Sequence, residues 1–223
     1  IFPETVHMEP PEMEPVSDVA VQNDYDLIIL SYQVWFLSPS LPITGFLKSQ
    51  SAKHILDNKP VITLIGCRNM WLMAQEKMKK ELSKLNARLI DNVVLTDKCS
   101  TATSFLSTPL WMFTGKKQFV SWIPEAGISD ENINNSKRFG YRIVKAFHND
   151  DVLNGPLLKG LGAVKVEDKY IASEKIGNRS FHVWGKLLKA LGPQHSIRRK
   201  FGLCVYIVFL IIMILTVVPI NAI

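Results

Sequence analysis

The sequence predicts an α/β protein built on a parallel sheet, followed by one membrane-spanning helix at its C-terminal end. Three observations carry that prediction. Apolar runs at Leu27–Leu30, Val61–Ile65 and within Arg88–Thr96 start near residues 26, 61 and 88, the spacing of successive right-handed strand–helix–strand crossovers. The segments between them repeat their apolar residues with a helical period. Finally, Phe201 to Ile220 is twenty residues without a charge, and at about 1.5 Å per residue such a helix crosses a hydrocarbon core of roughly 30 Å.

The composition suits one such domain. Of 223 residues, 47% are apolar and 21% charged, which excludes disorder, collagen and a disulfide scaffold. The net charge of +6 conceals a polarity along the chain. Residues 1–26 hold seven acids and no Lys or Arg, whereas residues 175–200 hold seven bases and no acid. Cys67, Cys99 and Cys204 lack the paired spacing of a disulfide framework or zinc knuckle, so a reducing compartment is the simpler reading. The chain opens on Ile1 without a signal-like leader, which predicts a fragment or a processed chain.

The expected organisation is an acidic, Pro-rich lead-in over 1–24, an α/β domain over 25–145, a basic juxtamembrane region over 146–200 and the span over 201–220. The run DLIIL at 26–30 reads as a strand buried on both faces and leads into an aromatic loop. Leu41 to Leu56 has helical spacing, and Val61 to Ile65 forms a second strand. Asn69 can cap the next helix, whose stripe is Trp71, Ala74, Met78, Leu82 and Leu85. Arg88 to Thr96 supplies the third strand. Phe181 to Leu191 puts Phe181, Trp184, Leu187, Leu188 and Leu191 on one stripe. That pattern suits a helix on a membrane surface or one packed on the domain. Arg198, Arg199 and Lys200 precede the span, which places the body on the cytoplasmic side.

Ligands of open parallel sheets sit beyond the carboxyl ends of the strands. Two loops there, Ser31–Ser40 (SYQVWFLSPS) and Gly66–Trp71 (GCRNMW), carry a Trp beside small or polar residues, which suits stacking of a flat heterocycle. The third is Thr96–Thr103.

The tract YDLIILSYQVWFLSPSLP resembles the third strand and ring-contacting loop of flavodoxin-like proteins. KPVITLIGCRNMWLMAQEKMKKEL with NARLIDNVVLTD resembles the fourth strand, fourth helix and fifth strand of that fold. The pair YQVWFLSPSLP and GCRNMWLMAQEKM is similar to the membrane-associated dialkylresorcinol-condensing enzymes, a likeness spanning residues 25 to about 140. The resemblance implies FMN as cofactor, with Tyr32, Gln33, Val34, Trp35 and Phe36 flanking the ring on one side. Cys67, Arg68, Asn69, Met70 and Trp71 come from the second loop. It further implies oxidation of a lipid-like cyclic ketone, membrane lipid as a partner, and NAD(P)H or a redox protein as the electron partner.

The chain departs from the family at its start, for no Ser/Thr/Gly-rich phosphate loop is present. Residues 1–15 read as the end of a second strand and its exit, so the expectation is a fragment lacking its first strand, with weak FMN binding. A competing reading is a non-catalytic binding or scaffold domain.

Plainer roles stand beside these assignments. Trp35 stacks on the ring or closes the sheet edge. Arg68 and Asn69 donate to the flavin's pyrimidine edge or to a substrate enolate, and Asn69 serves equally as a helix cap. Cys67, flanked by Ile65, Met70 and Trp71, reads as a buried small residue rather than a redox thiol. The aromatic segment 100–125 reads as a lid or as cover for the sheet edge. The five histidines show no metal or catalytic spacing, and no nucleophile elbow or P-loop occurs, which excludes those hydrolase and NTPase classes. The basic stretch beside the span points to lipid headgroups and not to nucleic acid.

Overall fold

The structure, a computed structural model, describes residues 1–97, 114–116, 127–149 and 155–220, with side chains of the last helix described through Met213. The aromatic segment expected as lid or edge cover lies outside the described residues except for 114–116. A short helix α1 (Phe2–Val6) and helix α2 (Asp18–Gln22) precede strand β1 (Ile28–Trp35), the two-residue strand β2 (Ser38–Pro39), helices α3 (Leu41–Leu47) and α4 (Gln50–Leu56), and strand β3 (Pro60–Cys67). Helix α5 (Leu72–Lys84), strand β4 (Arg88–Thr96), and helices α6 (Asp130–Asn135), α7 (Lys137–His148), α8 (Asp168–Ala190) and α9 (Ile197–Ile220) complete the described elements.

The sheet is mixed, four-stranded and ordered β2-β1-β3-β4. β1, β3 and β4 are parallel, and β2 returns antiparallel on β1 through Val34–Pro39 and Trp35–Ser38. β3 is central, and its apolar run is covered on both faces, as parallel sheets require. Val61 and Ile65 join Leu30, Tyr32, Leu56, Trp71, Met78 and Leu82 under α4 and α5. Ile62 joins Val93, Phe139, Ala146 and Leu158 on the other face, under α7 and the 155–163 loop. Each fully buried aliphatic side chain contributes about 1.5–3 kcal/mol of transfer free energy. Under α5 the Tyr32 hydroxyl donates to Gln75, Gln75 donates to Thr63, and Thr63 donates to Asn92. This buried chain satisfies every member in turn, which a low-dielectric interior demands.

Several expectations are revised. Residues 2–6, read as a strand end, form α1, which packs its Phe2 and Val6 on α8 and α9. The single helix expected over 41–56 is two, broken at Lys48–Ser49, where Ser49 caps α4 through Ala52 N–H. The α5 cap is not Asn69: the N-cap position is Trp71, whose side chain makes no capping bond. Of the stripe at 181–191, Phe181, Trp184, Leu188 and Leu191 pack against α1 and α9, so the domain-packing alternative describes it. Leu187 stands off that interface, half exposed.

The uncharged run at 201–220 falls within α9, yet among the described residues no helix is long and apolar enough to cross a membrane. The described part departs from an all-lipid face because one stripe is packed: Tyr206, Phe209 and Leu210 lie against Phe2 and Trp184. Gly202 permits the close crossing, since a Cβ there would meet Leu191 at 2.5 Å.

Candidate functional site

The carboxyl ends of β1 and β3 bring the two tryptophan loops to the same end of the sheet, but they end differently. After Trp35 the chain reverses in a two-residue hairpin at Phe36 and Leu37, both with positive φ (50° and 55°). Such turns ordinarily take Asn and Gly, and a side chain in that region costs about 1–2 kcal/mol. Packing holds it in place. Leu37 is buried against α8, where a Cβ on Gly177 would lie 3.2 Å from it. The Phe36 ring meets Phe2 edge-on at 4.8 Å and Phe181 at 6.0 Å.

The hairpin leaves Trp35 half-buried at the side of an open cleft of about 480 Å³. Ser31, Tyr32 and Gln33 of β1 line it together with Ser40, Pro42, Ile43 and Phe46. Trp35 Nε1 donates to Gln33 Oε1 at 3.2 Å, which fixes the indole's edge. Tyr32 lends its backbone and ring, but its hydroxyl points away to Gln75 at 2.7 Å. Burial, and to a lesser degree Cys67, raises the Tyr32 phenol, so it stays neutral. A larger hollow, about 550 Å³, lies at the opposite end of the sheet among Gln50, Lys53, His54, Asp57 and Lys84. Its lining is polar and far from both tryptophan loops.

The second loop builds a different object. Trp71 is 5% exposed and belongs to the core beneath α5. The amides that open α5 are capped from α8: Glu174 accepts from Met73 N–H at 2.9 Å and from Leu72 N–H at 3.3 Å. Glu174 is itself buried, and that burial raises its carboxyl above the ordinary range against the opposing pull of those amides. No local pattern in the sequence announces a cap supplied from a hundred residues away. Cys67 is mostly enclosed, and burial followed by the Glu174 charge pushes its thiol up to about 12. A thiol held protonated in this way is inert as a nucleophile. Cys67, Arg68, Asn69 and Met70 are half-buried at the carboxyl end of β3. None of the five residues from Cys67 to Trp71 lines the Trp35 cleft.

Three further groups come together without sequence warning. Lys77 on α5 donates to the buried Ser38 hydroxyl at 2.7 Å, and burial, then the neighbouring Lys80, lowers its amine to about 8. His7 and His182 stand edge to face at 5.5 Å across α1 and α8. Burial, then the charge of Lys189, lowers His7. At the end of β4, Asp97 accepts from Gly127 N–H at 3.0 Å, which holds residues 97 and 127 together at the carboxyl side of the sheet.

Trp35 and Phe46 give the cleft two aromatic side chains among its lining residues. Among the described residues neither Lys, Arg nor glycine lines the cleft, so none of them offers the phosphate of FMN a cradle there. Among the described residues no cluster of His, Cys, Asp and Glu could hold a metal ion. No protein-family model, curated protein or solved structure matches this chain.

Proposed function

We propose that this chain is a membrane-tethered, flavodoxin-like domain that takes a planar heterocycle against Trp35 and works as an oxidoreductase on a lipid-like cyclic ketone. FMN is the group the sequence resemblance implies. The observation that carries the reading is the Trp35 cleft, an aromatic-walled slot at the carboxyl end of a parallel strand, where open α/β sheets bind ligands. A bound flavin would supply the hydride or electron transfer. The chain's own part is to orient the ring through the Trp35 face, with Gln33 holding the indole, and to present Ser31 and Ser40 to the ring's polar edge.

Tethering is supported by α9. Phe201, Val205, Val208, Ile211 and Ile212 are exposed on it, and the exposed cations Arg198 and Lys200 precede them. Apolar surface of that extent is unfavourable in water, and flanking cations suit the cytoplasmic leaflet.

A second reading, a non-catalytic binding or scaffold domain, is favoured by one specific observation: among the described residues no carboxylate, imidazole or amine lines the cleft. Titration of FMN into the chain purified in detergent separates the two. The enzyme reading predicts saturable binding, with quenching of tryptophan fluorescence and a flavin band that NAD(P)H or a redox protein bleaches. Protein that ignores FMN throughout the titration leaves the scaffold reading standing.

A further inference from the structure

We propose that the outer flank of α7 is a second lipid contact, one that rests flat on an anionic bilayer surface and so orients the domain. The inference deepens the tethered reading and rests on it only for bringing a bilayer within reach.

The flank is defined by what the sheet does not use. Phe139, Ala146 and Ile143 of α7 pack into the core with Ile62 and Val93. Tyr141, Val144 and Phe147 point elsewhere, 73%, 53% and 42% exposed. At 100° per residue these three fall on one side of the core-facing arc. Gly140 lies among them with open space around it, since a Cβ there would meet nothing within 4 Å. Three large apolar side chains exposed together on one surface helix are unlike the scattered singles that any protein surface carries.

Charge selects the occupant. Residues 137–148 contain Lys137, Arg138, Arg142 and Lys145 and no carboxylate. Lys137 and Lys145 are exposed beside the apolar flank. Arg138 is exposed but engaged within the protein, donating to the Leu161 and Asn135 carbonyls and lying 4.3 Å over the Phe139 ring. Apolar and aromatic tips with long cationic chains beside them match the boundary between acyl chains and anionic headgroups. There the stems lie along the apolar layer and the ammonium groups reach phosphate. A polyanion such as RNA would pair the lysines but give Val144 and Phe147 no apolar medium to enter.

The test uses the full chain with Cys99→Ala and Cys204→Ala, carrying Val144→Cys as the reactive thiol labelled with an environment-sensitive fluorophore, the mostly enclosed Cys67 thiol being held protonated. Flotation and emission are read together with neutral phosphatidylcholine vesicles and with vesicles containing phosphatidylglycerol. The inference predicts a blue-shifted, brighter label on anionic vesicles. Lys137→Gln and Lys145→Gln should each weaken that signal about fivefold, the equivalent of about 1 kcal/mol per juxtamembrane cation. These two exposed substitutions do not touch the core, so they serve where Tyr141→Ser with Phe147→Ser fails to fold. Flotation on both vesicle types with an unshifted label overturns the inference and leaves the tether intact. A shifted label on anionic vesicles, with no flotation on neutral ones, removes the tether and leaves the inference standing. A label that responds to RNA and not to anionic vesicles overturns it in favour of a polyanion surface. No flotation on either overturns both.

Discussion

Trp35 closes β1, and Trp71 stands after the neighbouring parallel strand β3, at the N-cap of α5; the two meet opposite fates. Trp71 is followed by a thirteen-residue helix whose first amides need partners; Glu174 supplies them from α8, and the indole is drawn beneath α5 into the core. Trp35 is followed by two residues with positive φ that reverse the chain, and the hairpin leaves its indole beside an open cleft. What the chain does next, helix or hairpin, decides whether an aromatic at a strand end is structure or surface.

That contrast orders the expected effects of substitution. Trp71→Ala removes a large indole from a packed interior and should cost about 3–5 kcal/mol in urea unfolding. Glu174→Ala strands two amide donors at the start of α5 and should cost about 2 kcal/mol. Glu174→Gln, which keeps one acceptor, should cost less in the same assay. The layer of α1, α8 and α9 should show its own acid limb. Burial alone would raise the Glu4 carboxyl, but the Arg199 guanidinium and the Ile1 amine, with a backbone hydrogen bond, together outweigh it and hold the group at about 2. A folded value below the unfolded one means stability present above about pH 4.3 and lost as the pH falls toward 2. Glu4 is partly solvated, so the loss amounts to about 1 kcal/mol at most, and Arg199→Gln should flatten that limb in a pH series of unfolding curves. Smallest of all, Trp35→Ala should leave stability within about 0.5 kcal/mol; a cost near that of Trp71→Ala would mean that Trp35 is a core residue after all.

Much of the sheet was legible because burial on both faces leaves a continuous apolar signature. The three parallel strands begin at Ile28, Pro60 and Arg88, close to where the apolar runs start. The stripe of α5 was equally plain, since Ala74, Met78 and Leu82 are all buried. The hairpin at Phe36–Leu37 was not legible, because neither residue is one that such turns favour and tertiary packing supplies what local preference lacks. The Glu174 cap was hidden for a related reason: its partners are a hundred residues away, and sequence spacing encodes only local caps. For the same reason the two tryptophan loops looked like equal halves of one slot, and only one of them lines the cleft.

In the proposed function, Trp35 forms the wall on which a planar ring lies. The most direct measurement is the FMN dissociation constant of the detergent-purified chain against that of its Trp35→Ala variant. The expected loss is about 1–3 kcal/mol, the scale of an aromatic stack on a heterocycle, read as a roughly five- to 150-fold weaker constant. Equal constants for the two proteins would contradict the claim.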